Sequence, residues 1–130
     1  VAFIVLSGCT ISDSYEAPPI GPLPTMPVPV GPASNVDLSK LPNIVFSWER
    51  MENAVTYEFH IYNALNADID KYMVTGLNND ENCHQNVCAI QERLVLPDSR
   101  GHAWWVRALN AVGISAWARR PFTWDMNCFL

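Results

Sequence analysis

The sequence predicts an all-β protein: one antiparallel sandwich of seven strands, preceded by an export segment and an extended tether. Three observations predict it. From about Val36 onward, apolar residues recur at every second position over short stretches, the period of a strand with one buried face. Clusters of Gly, Asn, Asp and Pro separate these stretches. No segment sustains helical periodicity, and no internal repeat occurs. The length, 130 residues, suits one domain with a leader beside it. Apolar residues make up 49% and charged residues 16%, enough material for a real core.

Residues 1–8 are a short apolar run that closes on Ser7 and Gly8, as the end of a secretory signal does. The tetrapeptide Leu6-Ser7-Gly8-Cys9 resembles the bacterial lipobox, in which cleavage precedes a cysteine that then carries lipid. With no initiator Met and no basic n-region, the chain is expected to be a fragment lacking the first part of its signal. The alternative makes this run a buried strand and Cys9 a core cysteine. Eight residues cannot cross a bilayer as a helix, which needs about 20. By the usual sorting tendency, Thr10 after the cysteine favours the outer membrane of a Gram-negative cell.

Residues 9–33 form the expected lipidated, proline-rich linker. Seven of the ten prolines fall between Pro18 and Pro32. Proline lacks a backbone donor and fixes φ, so the stretch is expected to stay out of any sheet and to favour extended polyproline II. A ligand for an SH3-type groove is the functional alternative to a plain stalk.

Residues 34–130 are the expected sandwich. Ile44, Phe46 and Trp48 share one face of a strand, and Tyr57, Phe59 and Ile61 alternate with Glu58, His60 and Tyr62. Residues 69–74 read as a weaker strand, followed by a turn over 76–80. Residues 87–95 read as the fifth strand. His102, Trp104, Val106 and Ala108 alternate with Ala103, Trp105 and Arg107, and after a turn at 110–113 the last strand runs over 114–124.

These residues resemble a fibronectin type III domain of the immunoglobulin-like class. Trp48 matches the Trp near the end of the second strand, and Tyr57-Glu58-Phe59-His60-Ile61-Tyr62 matches the third. Leu94-Val95-Leu96-Pro97 is similar to the Leu-x-Pro element before the sixth. Residues 104–115 resemble the pattern V-x-V-x-A-x-N-x-x-G-x-S, and Ser115-Ala116-Trp117 continues the likeness. The resemblance spans about residues 30–125 and is nearest to the bacterial exported variety. It departs at the tyrosine-corner slot, where His102 stands, so that hydroxyl bond is lost or replaced by an imidazole bond.

The formal charge is −5, from 13 acids against 8 scattered bases, so there is no basic stripe to neutralise a row of phosphates. Nucleic acid is therefore not an expected partner. Cys83 and Cys88, with His84 between them, offer too few ligands for a structural zinc site. In an oxidising compartment this spacing suits a disulfide instead, worth roughly 2 kcal/mol or less for so short a loop. Asp68, Asp70, Asn78, Asn79, Asp80 and Glu81 could donate to calcium, but they lack EF-hand spacing and are also good turn formers. No metal or other cofactor is expected. No nucleophile elbow, zincin helix or phosphate loop is present, and the histidines are scattered, so no enzyme is expected.

The outward face of the third, sixth and seventh strands is the candidate binding surface: His60, Tyr62, Trp105, Arg107 and Trp117. Such aromatics stack on sugar rings or anchor a protein partner. The competing expectation is a cation–π ladder, with Arg107 between Trp105 and Trp117, that only stiffens the sheet. Such ladders resemble the Trp-Ser-x-Trp-Ser element of cytokine-receptor domains. Cys128 is left without an assigned partner. The expected whole is a lipid-anchored extracytoplasmic interaction or spacer module that meets the membrane through Cys9 and a carbohydrate or protein through this face. The rival is an accessory domain of a secreted polymer-degrading enzyme whose catalytic part lies elsewhere.

Overall fold

The computed structural model describes residues 21–63, 72–94, 96 and 101–125. Among them are eight strands and one helical turn: β1 (Pro29–Gly31), β2 (Ile44–Glu49), β3 (Thr56–Asn63), β4 (Tyr72–Asn78), α1 (Asn79–Asn82), β5 (Cys83–His84), β6 (Val87–Glu92), β7 (His102–Leu109) and β8 (Ala118–Phe122). They form two four-stranded antiparallel sheets, ordered β1-β2-β6-β5 and β4-β3-β7-β8. Two facing sheets with alternating burial make an all-β sandwich, as the two-residue period predicts.

The alternation accounts for the core. Ile44, Phe46 and Trp48 from β2 meet Tyr57, Phe59 and Ile61 from β3 and Trp104, Val106 and Ala108 from β7, all fully buried. The rings interlock: Phe46 lies 4.9 Å from Phe59 and 5.5 Å from Trp104 between centroids, and Trp48 meets Tyr57 edge-on at 5.6 Å. Tilted and T-shaped pairs of this kind add about 0.5–1.5 kcal/mol each beyond area burial. His102, in the corner slot, is buried and stacks on Phe122 at 5.7 Å.

A different tyrosine ties the layers together. The Tyr57 hydroxyl accepts from the Met51 N–H at 3.0 Å and donates to Asn79 Oδ1 at 2.8 Å. Asn79 Nδ2 in turn donates to the Ala54 carbonyl at 3.0 Å. Asn79 opens α1, the crossing from one sheet to the other, so the phenol anchors that crossing. Burial pushes its pKa above the ordinary tyrosine value.

Three local expectations differ from the structure. Gly76, Leu77 and Asn78 belong to β4 rather than to a turn. The reversal is α1, capped by Asn78, whose Oδ1 accepts from the Glu81 N–H at 2.8 Å. Asp37 makes only an isolated bridge to Thr123, and the first described strand precedes residue 34, the expected start of the sandwich. It is β1, inside the proline-rich stretch expected to stay out of any sheet. Its carbonyls still accept, and an edge position does not require every donor. The Val28 carbonyl accepts from the Glu49 N–H at 2.8 Å.

Residues before β1 also lie against the sandwich. Pro24 and Pro27 are buried. Asn110 Nδ2 donates to the Pro22 carbonyl at 3.1 Å, and a Cβ on Gly113 would meet Leu23 Cδ2 at 2.6 Å. At the other end, the Arg120 guanidinium of β8 donates to the carbonyls of Pro29, Val30 and Pro32 at 2.9–3.1 Å. Arg120 thereby straps β1, in one sheet, to β8, in the other.

Candidate functional site

Strand register decides which outward side chains meet. Across the sheet β4-β3-β7-β8, one row runs Met73, His60, Trp105, Arg119. In the next row Glu58 stands opposite Arg107. Trp117 lies just before β8. These residues point outward because their sequence neighbours Phe59, Ile61, Trp104, Val106 and Ala118 point into the core.

The second row is closed on itself. Arg107 donates from Nε and Nη2 to Glu58 Oε1 at 2.7 and 2.6 Å. Its guanidinium also lies 4.3 Å from the centroid of Trp117. The His60 ring packs against the same indole at 5.5 Å. Arg107 is thus fixed by a carboxylate on one side and an indole on the other, and its ion pair is largely shielded, with side chains 26% and 19% exposed. The first row is looser. Arg119 lies 5.5 Å from the Trp105 centroid, and its side chain is exposed whereas Trp105 is half-buried.

Of the residues singled out from sequence, His60, Trp105, Arg107 and Trp117 share one face. Tyr62 stands in β3 opposite Ala103. The expected ladder has a different connectivity: Arg107 stacks on Trp117, and Arg119 takes the place over Trp105. Glu58 and Arg119 are the members that sequence reasoning passed over as site residues. Glu58 had a signal, because it alternates with Tyr57 and Phe59. Arg119 had none beyond its pairing with Arg120.

Cys83 and Cys88 stand opposite each other across the β5–β6 hairpin and are joined by a disulfide, with Cα atoms 3.8 Å apart. His84, beside them, is exposed on that hairpin. Of the oxygen donors considered for calcium, Asn78 and Asn79 are engaged in the α1 cap and the Tyr57 network, while Asp68 and Asp70 lie outside the described residues, as do Cys9 and Cys128. Among the described residues, one surface depression measures about 430 Å³ and another about 280 Å³. The larger is lined by Val30, Glu49, Arg50, Asn86 and Val87, away from the aromatic face.

No protein-family model matches the chain, and no curated protein matches it. Solved structures do. The FN1–FN3 domains of chicken CNTN1 superpose with a TM-score of 0.52 at 18% identity, covering 79% of this chain and 33% of that one. The chain therefore spans about a third of that multidomain fragment. A mutant of FN3tt matches at 0.49 and 14% identity over 77% of this chain and 94% of its own. The PKD domain of the human VPS10 domain-containing receptor SorCS2 matches at 0.44 and 18% identity, covering 96% and 94%. The chain is an all-β, two-sheet antiparallel sandwich whose fold resembles that of fibronectin type III domains.

Proposed function

We propose that this chain is a non-catalytic interaction module of an exported, lipid-anchored protein, and that it meets a glycan or protein partner through the outer face of β3, β7 and β8. The carrying observation is the division of labour between the two outward rows. The Glu58–Arg107–Trp117 row makes a fixed support, and the neighbouring row sets Trp105 and Arg119 at its edge. A pre-ordered aromatic surface loses little freedom when a ligand settles on it, which is what favours binding.

The oxidised Cys83–Cys88 pair supports an extracytoplasmic setting, since such bonds persist in oxidising compartments. Anchoring would be through Cys9. Because residues 22–32 lie against the sandwich, the tether would comprise only the residues between Cys9 and about Gly21.

Glycan and peptide arrays on the purified domain, repeated with Trp105→Ala and Trp117→Ala, test the binding role. A hit lost on substitution while the domain keeps its near-UV circular dichroism supports it. Unfolding of both variants, or a hit indifferent to both, would sink it. Mass spectrometry of protein expressed with its complete signal should find Cys9 acylated; unmodified Cys9 in a membrane-free fraction contradicts the anchor.

A further inference from the structure

We infer that the partner of this face is an acidic polysaccharide, and that Arg119 selects it by pairing with the carboxylate of a uronate unit. The inference rests on the proposed use of the face as a binding surface and names its ligand class.

The argument is one of charge left over. The chain as a whole is acidic, at −5. On this face, however, the sole carboxylate among the described outward residues of β3, β7 and β8 is Glu58, and Arg107 already occupies it through two contacts. The row Met73, His60, Trp105, Arg119 contains no acid. Arg119 makes no ion pair among the described residues, and its guanidinium lies over the Trp105 ring. A guanidinium lying over an indole keeps its N–H edge free in the ring plane. That edge is the fork that matches a carboxylate with two parallel hydrogen bonds. Because Arg119 is exposed, the fork faces solvent and not the core.

Arg120, one residue on, is committed elsewhere: it points to the opposite side of β8 and holds the carbonyls of residues 29–32. The adjacent arginines therefore differ in role, one structural and one available. A polysaccharide suits the surroundings better than an acidic peptide. The site is a sheet face with indoles along it, and sugar rings present flat C–H faces to indoles whereas acidic side chains do not. Trp105 acts as a positioning residue for Arg119.

The test is affinity electrophoresis of the folded domain through gels containing polygalacturonate, alginate or hyaluronan, with dextran as a neutral polymer and poly-L-glutamate as an acidic polypeptide. Wild type should be retarded by at least one acidic polysaccharide and by neither control, and less so as salt rises. Arg119→Ala should weaken that retardation about tenfold or more, with Arg119→Lys in between because an ammonium keeps the charge without the fork. Thermal melts of both variants should match wild type, since Arg119 is exposed. Equal retardation by poly-L-glutamate, or binding indifferent to Arg119→Ala, overturns the inference. Retardation by dextran that is lost in Trp105→Ala but kept in Arg119→Ala also overturns it, yet leaves the face as a binding surface. No retardation by any polymer overturns it as well; a blank result on the arrays besides would remove the binding role itself.

Discussion

The two sheets share one backbone plan and present opposite outer faces. On β2 and β6 the outward residues are Val45, Ser47 and Glu49 beside Val87, Ala89 and Gln91, paired Val45–Gln91, Ser47–Ala89 and Glu49–Val87. None is aromatic or basic, and Glu49 and Val87 border the depression beside Val30. On β3, β7 and β8 the corresponding positions hold Glu58, His60, Trp105, Arg107 and Arg119, joined by Trp117. Inward, the two sheets follow the same rule and contribute equally large rings to one core. The difference teaches that the fold needs only the inward half of each alternation. Large, costly-to-order side chains placed outward on one sheet alone need another explanation.

The largest expected effect comes from what the faces have in common. Tyr57→Phe would leave the Met51 N–H and Asn79 Oδ1 without their partner at the crossing between sheets. Urea unfolding should show a loss of about 1–3 kcal/mol. The pH dependence has a definite sign. The folded-state pKa of Tyr57 lies above its unfolded value, so the unfolded chain loses that proton first. Stability should fall as pH rises past about 10, and this slope should vanish in the Phe variant.

A smaller effect is expected at the seam where the sheets' edges meet. Arg120→Ala removes donors from three carbonyls and should cost about 1–2 kcal/mol. Hydrogen exchange over residues 22–32 should speed up, while that of β3 and β7 stays unchanged. Unchanged exchange over 22–32 would mean that the strap is held by Pro24, Pro27 and the β1–β2 pairing alone.

Comparing the faces directly gives the smallest expected effects. Arg107→Ala breaks a shielded ion pair and a cation–π contact, for about 1 kcal/mol. Gln91→Ala, on the outer face of β2 and β6, should stay within about 0.5 kcal/mol of wild type. If Arg107→Ala costs several times more, the outward row is chiefly a stiffener, and the contrast between the faces is one of stability and not of binding.

Much of this was legible in the residues. Alternation placed Ile44, Phe46 and Trp48, Tyr57, Phe59 and Ile61, and Trp104, Val106 and Ala108 on buried faces, and by the same step put His60, Trp105 and Arg107 outside. What alternation cannot supply is register between strands. Only the pairing of Val106 with Ala118 and Trp105 with Arg119 decides that Arg119, not Arg107, meets Trp105. β1 was hidden for a chemical reason: proline-rich composition signals missing donors, and an edge strand can pair through its carbonyls. β5, at two residues, is too short to carry a period at all. Gly76, with φ of +78°, read as a turn yet sits within β4, whose register with β3 shifts between Tyr57 and Phe59. The buried role of the Tyr57 hydroxyl depends on Asn79, 22 residues away, which no local pattern connects.

The contrast between the two faces is tested most directly by amide chemical-shift mapping of the ¹⁵N-labelled domain, titrated with whichever array or gel ligand binds. Perturbations should cluster at residues 58–60, 105–107 and 117–119, and leave 45–49 and 87–91 in place. Perturbations concentrated on β2 and β6, or spread evenly over both sheets, would contradict the assignment of binding to the aromatic face.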